Sequence, residues 1–186
     1  MTKRFAMASG RLIDIDNLKS EDICLNDIAH HLAKIQRGNG CLPLGIKYSV
    51  AEHSINLYNW CVENHQYDTL AQRWLILHDA SEAYLSDMVR PVKEILHDYK
   101  VLENSIQSMI YEKYIGGQSP TYNIMRADKR ILMDEMEHLC PEQLDIYRTE
   151  TGLTKLGCHI EYNNDEHTVK QVFLNICKKL GISDDL

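Results

Sequence analysis

Apolar residues recur along most of the chain at the three- and four-residue spacing of helices with one buried side. The stripe Ile28, Leu32 and Ile35 predicts a helix from about Asn26, read as its N-cap, to Gln36. Ser49-Val-Ala-Glu52 is a capping box, in which the serine hydroxyl serves a free N–H while the glutamate reaches back. The helix it opens runs to about Asn64, with Val50, His53, Leu57 and then Trp60 or Cys61 facing inward. Tyr67-Asp68 breaks the chain before the unbroken apolar run Trp74, Leu75, Ile76 and Leu77, which belongs to a further helix. Pro91 suits the first turn of a short helix. A longer one over residues 98–115 puts Val101, Leu102, Ile106, Met109 and Ile110 inside and stops at Gly116-Gly117. After a linker at Gln118-Ser119-Pro120, a helix over residues 122–140 carries Ile124, Ile131, Leu132 and Leu139. The last, over residues 165–180, buries Val169, Val172, Phe173 and Ile176 and ends at Gly181.

The intervals are short or rich in breakers. Ser9-Gly10 reads as a turn, Leu12 to Asp16 as a short extended piece, and Arg37 to Gly45 as a glycine-rich loop. Residues 141–157 read as loop with little pattern. The expectation is an all-α fold in one domain over residues 1–186, with a core over about 26–140 and a C-terminal helix near 165–181.

Composition narrows the class. With 44% hydrophobic and 25% charged residues, the chain suits a globular protein that builds its own core. No apolar run reaches transmembrane length and the N-terminus lacks a signal-peptide core, so a cytoplasmic protein is expected. A net charge of −7 argues against a nucleic-acid polymer or an anionic membrane as partner. Six scattered cysteines without a CxxC pair read as small buried residues in a reducing compartment.

The candidate chemistry gathers after the apolar run. His78 and Asp79 are adjacent, followed by Glu82, Asp87, Arg90 and Lys93, and Glu82 shares their face if the helix continues. Burying such groups is costly unless something pairs with them, and a divalent metal is a fitting partner. His53 stands mid-stripe on an apolar face, where a histidine is either a core residue or a ligand. Asp128 stands between Ile124 and Ile131 on another apolar face and needs a cation there, whereas Arg126, Lys129 and Arg130 point elsewhere. Two imidazoles and two carboxylates, His53, His78, Asp79 and Asp128, suit Mn²⁺, Co²⁺, Fe²⁺ or Zn²⁺. His30 and His31 have no ligand-type residues spaced with them and read as surface or half-buried histidines. Arg37 opens its loop as either a substrate flap or a connector; Arg90 and Lys93 read equally as phosphate-binding cations or as a solvated turn about Pro91.

This H…HD…D pattern resembles the HD-domain metal-dependent phosphohydrolases. The segments SGRLIDI, NDIAHHLAKIQR, YSVAEHS, LHDASEAYLSDMVRPVK, MRADKRILMDE and the closing CHIEYNNDEHTVKQVFLNICKKLG resemble, in order, the small phage- and prophage-type branch. That branch includes deoxyadenosine triphosphate triphosphohydrolases and is similar to the bacterial 5′-deoxynucleotidases. The resemblance implies a helical HD-domain bundle, His53, His78, Asp79 and Asp128 as metal ligands, and Glu82 handling the attacking water. It further implies Arg37 near the scissile phosphate, Asp87 at the sugar, a nucleotide as the small-molecule partner and a homo-oligomer. Gly38 stands where the deoxynucleotidases carry a tryptophan, and Ala83 where alarmone hydrolases carry an aspartate; the GYP signature of cyclic-dinucleotide phosphodiesterases is absent. A dATP-type triphosphohydrolase is therefore expected, against a deoxynucleoside-monophosphate 5′-nucleotidase and a non-catalytic nucleotide-binding regulator.

Overall fold

A computed structural model describes residues 3–64, 68–118 and 121–184, so Tyr67, Ser119 and Pro120 of the expected break and linker lie outside the described residues. The chain opens with an antiparallel hairpin, β1 (Arg4–Ala6) and β2 (Leu12–Asp14), in which Phe5 pairs with Ile13. The longer elements that follow among the described residues are helices: α1 (Leu25–Lys34), α2 (Val50–Glu63), α3 (Thr69–Leu77), α4 (Glu82–Leu85) and α5 (Arg90–Ile95). Then come α6 (His97–Ile115), α7 (Tyr122–Leu139), α8 (Leu144–Thr151) and α9 (Glu166–Lys179). The fold is all-α apart from the hairpin and short 3₁₀ turns. No described helix is long and apolar enough to cross a membrane.

The start of α2 forms as the capping box predicts. The Ser49 hydroxyl accepts from the Glu52 amide (3.2 Å), and the Ser49 amide donates to Glu52 Oε2 (2.6 Å). Asn26, by contrast, is not the N-cap of α1: Cys24 is, and Asn26 lies inside the first turn. Asp184, from the far end of the chain, accepts from the Leu25 amide at 3.0 Å and so replaces the local cap.

Two apolar clusters share α2. One joins α1, α2, α6 and α9 through Ile28, Leu32, Val50, Ile106, Ile110 and Phe173. The other joins α2, α3 and α7 through Leu57, Leu75, Ile124, Ile131 and Leu139. Each such side chain contributes about 1.5–3 kcal/mol by leaving water. The seam where α2, α3 and α7 meet is where His53 and His78 lie.

Other expectations fail as well. Val101 and Val172 are 69% and 40% exposed, so their helices present narrower apolar stripes than their composition suggests. Residues 141–157 are not all loop: a 3₁₀ turn leads into α8, none of whose residues is buried. The helix of the apolar run does not continue through Glu82. It stops at Leu77, and the chain tightens through bonds from Ala80 N to Leu77 O, Glu82 N to Asp79 O and Tyr84 N to Ser81 O. All six cysteines are free, and only Cys41 among them is exposed.

Candidate metal centre

α2 carries His53 into the seam on the face it shares with Val50 and Leu57, all three fully buried. α3 delivers His78 at its C-terminal end, where the Nδ1–H donates to Leu75 O at 2.7 Å and closes the last turn. Trp74, one turn earlier, packs against the His78 ring with centroids 5.5 Å apart. Asp128 projects from α7 between Ile124 and Ile131, which hold that helix against α2 and α3.

These side chains converge. His53 Nε2 lies 3.2 Å from His78 Nε2, and each lies 3.3 Å from Asp128 Oδ1. The group His53, His78 and Asp128 can hold a metal ion. Asp79 Oδ2 stands alongside, 3.2 Å from His78 Nε2 and 3.7 Å from His53 Nε2. Donors bonded to one ion at about 2.1 Å stand roughly 3.0–3.4 Å apart, which matches the spacings among His53, His78 and Asp128, whereas the His53–Asp79 distance is longer.

The hydrogen bonds also set the tautomers for an ion. Both Nδ1 atoms face acceptors, His53 toward Glu135 Oε1 (2.5 Å) and His78 toward a carbonyl. Each neutral ring therefore keeps its Nε2 lone pair, and two lone pairs 3.2 Å apart among carboxylates need a shared cation. In the absence of an ion a proton takes that role. Burial lowers the His78 pKa, but Asp79 and Asp128 outweigh it and hold it well above the ordinary imidazole value. Burial likewise opposes ionisation of Asp79 and Asp128, yet the imidazoles keep both below the usual carboxylate range.

Behind the cluster lies a carboxylate that sequence reasoning missed. Glu135 is 1% exposed and accepts from His53, from the Tyr48 hydroxyl (3.0 Å) and from Arg37 Nε (3.2 Å). Burial pushes its pKa up, but Arg37, His53 and Tyr48 bring it down to about 2. The available signal was spacing, since Glu135 follows Asp128 by seven residues and so shares its face of α7. Arg37 reaches from the Gly-rich loop with its other arm to Asp79 Oδ2 at 3.4 Å.

Glu82, at 3% exposure, accepts from Lys93 Nζ at 3.1 Å through Oε1, while Oε2 has no hydrogen-bond partner among the described residues. Burial raises its pKa well above the carboxylate range, the charges of Asp79 and Asp87 add to this, and Lys93 and Arg37 oppose it. Lys93 is held by a second carboxylate, Glu103, at 2.6 Å, also absent from the sequence reading. Asp87 Oδ2 accepts from the Gly38 amide at 2.5 Å and pins the loop that carries Arg37. Gly38 has φ 63°, a backbone that favours glycine. Arg90 is exposed, and its side chain joins none of these groups among the described residues. His30 and His31 lie outside the cluster, on α1.

No known family profile matches the chain. The chain is 37% identical over 106 residues to the uncharacterized protein YfdR of Escherichia coli (strain K12), covering 57% of this chain and 55% of that protein. It is 34% identical over 112 residues to the uncharacterized protein RCAP_rcc00048 of Rhodobacter capsulatus, covering 58% and 56% respectively. The chain spans about half the length of the curated relatives it matches.

Proposed function

We propose that the protein is a metal-dependent phosphohydrolase of the HD-domain type acting on deoxynucleotides, with dATP-like triphosphates as leading substrates. One observation carries this reading. His53, His78, Asp79 and Asp128 meet in a seam near a buried glutamate, Glu82, that keeps one carboxylate oxygen unpartnered among the described residues. Two nitrogen and two oxygen donors suit Mn²⁺, Co²⁺, Fe²⁺ or Zn²⁺. When bound, such an ion supplies Lewis acidity toward water and a phosphoryl oxygen.

The chain's own residues do the rest. Glu82 Oε2 accepts a hydrogen bond from water and orients it, and its raised pKa suits taking up a proton. Arg37, kept charged beside Glu135 and Asp79, offsets negative charge on the phosphate. Asp87 and the side-chain-free Gly38, bonded to one another, border the sugar.

A second reading, a 5′-deoxynucleotidase acting on monophosphates, is favoured by one feature. Lys93 is already paired with Glu82 and Glu103, and Arg90 is exposed, which leaves fewer cations open for a triphosphate. Release of phosphate, pyrophosphate and tripolyphosphate from a nucleotide panel with Co²⁺, Mn²⁺ and Zn²⁺ separates the two. Higher kcat/KM on dATP than on dAMP is expected. Equal or better cleavage of dAMP establishes the second reading, and no release from any nucleotide overturns both.

A further inference from the structure

Glu135 meets His53 at Nδ1, the ring nitrogen opposite the Nε2 that faces His78, and its side chain is only 2% exposed. Its two oxygens serve different neighbours. Oε1 accepts from His53 Nδ1 (2.5 Å) and the Tyr48 hydroxyl (3.0 Å), whereas Oε2 accepts from Arg37 Nε (3.2 Å). Tyr48 is fixed in turn by Asn56 Nδ2 at 3.0 Å, and Asn56 is tied to the backbone of Glu161 by bonds of 2.8 and 3.2 Å. The carboxylate is thus clamped on a rigid base and clamps two other groups.

Arg37 is held at two points of unequal durability. Its Nη1 contact at 3.4 Å goes to Asp79 Oδ2, the oxygen that also lies 3.2 Å from His78 Nε2. A cation held by His78 and Asp79 would draw on that oxygen and compete with Nη1 for it. The bond from Nε to Glu135 involves neither that oxygen nor an Nε2 atom, so it would stand outside this competition. The guanidinium would then keep its anchor on Glu135 with Nη1 open to an anion.

We propose that Glu135 is a positioning residue that holds His53 and Arg37 in one geometry, coupling metal binding to phosphate binding through a single buried carboxylate. This rests on the phosphohydrolase reading in its choice of phosphate as the anion. Calorimetric titration of the full chain tests it, first with Mn²⁺ alone and then with inorganic phosphate on the Mn²⁺-saturated protein. Glu135→Gln is expected to weaken Mn²⁺ binding by about 10–100-fold, the range for losing a carboxylate behind a ligating histidine. At saturating Mn²⁺ it should also weaken phosphate binding by about fivefold or more, as should Arg37→Ala. The double variant should bind phosphate no more weakly than Arg37→Ala alone, because Glu135 acts on the anion through Arg37. Tyr48→Phe removes one bond to Oε1 and should give both losses at about two- to fivefold, keeping the test open if Glu135→Gln fails to fold. Mn²⁺ affinity within about twofold of the parent in the folded variants, or additive losses for phosphate in the double variant, overturns the proposal. If the parent binds Mn²⁺ and phosphate but cleaves no nucleotide, the proposed activity falls and the coupling stands on its own titrations.

Discussion

Asp134 and Glu135 are consecutive buried carboxylates on α7, and they live in opposite surroundings. Asp134 accepts from three backbone amides, those of Leu156 (2.7 Å), Gly157 (3.0 Å) and Cys158 (3.2 Å). It pins the segment after α8 to the core and takes no part in the histidine cluster. Glu135 is held by side chains alone, an imidazole, a phenol and a guanidinium. Glu52 and His53 repeat the contrast on α2: Glu52 caps its own helix and accepts from the Asn163 amide, whereas His53 points its Nε2 into the seam. A carboxylate satisfied by backbone amides organises the chain. One satisfied by ionisable side chains, or left short of partners as Glu82 is, organises charge that can move.

Substitution on the charged side gives the sharpest division. Asp79→Ala removes an oxygen beside both Nε2 atoms, so the dialysed protein should retain no Mn²⁺ by elemental analysis and hydrolyse no nucleotide. Retention of one ion per chain would remove Asp79 from the ligand set. Glu82→Gln should keep the ion yet slow turnover by about 10²–10⁴-fold, the range for lost acid–base assistance. Turnover at the parental rate would move Glu82 to the structural group.

On the other side, Asp134→Ala strands three amides and should lower the unfolding free energy by about 3 kcal/mol in urea titrations. The folded variant should still bind Mn²⁺ normally. A weakened Mn²⁺ affinity with unchanged stability would erase the distinction between the two neighbours.

How much of this division is legible in the sequence follows from which residues break an apolar stripe. His53, His78 and Asp128 interrupt such stripes and announce themselves. Glu135 does not, because in Met133-Asp-Glu-Met-Glu137 it is one of three acids, and only its seven-residue spacing from Asp128 tells it from Asp134 or the half-exposed Glu137. Glu103 is similarly one acid on a long polar helix until α5 folds back and brings Lys93 to it. α8 buries none of its residues and so offers no stripe to read. The stop of α3 at Leu77 is set by the His78 side chain taking Leu75 O, within a run whose composition favours continuation. The cap of α1 comes from Asp184, some 160 residues away in sequence and invisible to any local signal.

Acidity separates the two sides further. In the ion-free protein, His78 has a folded-state pKa raised above its unfolded value by Asp79 and Asp128, so its charged form stabilises the fold below the ordinary imidazole pKa. That contribution fades as pH rises through the raised value. An ion replaces the proton, so Mn²⁺ affinity should climb by about tenfold per pH unit while His78 holds its proton. Calorimetry in buffers of different ionisation enthalpy should register about one proton released per ion. An affinity independent of pH would show that His78 gives up no proton on binding.

The smallest expected effect falls on the cap of α2, at the start of the turn that ends in His53. Ser49→Ala deletes a hydroxyl that accepts from the Glu52 amide at 3.2 Å and lies 2.6 Å from Glu52 Oε2. Loss of an N-cap costs about 1 kcal/mol. Glu52 keeps its bonds from the Ser49 and Asn163 amides, so the loosening should stop at the first turn. His53 lies at the end of that turn, but its orientation is set by Glu135 and by the buried packing of Val50 and Leu57 rather than by the cap. Thermal unfolding should therefore fall by the equivalent of about 1 kcal/mol with Mn²⁺ affinity changed by less than about twofold. A tenfold loss of Mn²⁺ affinity would mean that the cap carries His53 with it, and that the backbone-held side of α2 reaches into the metal centre.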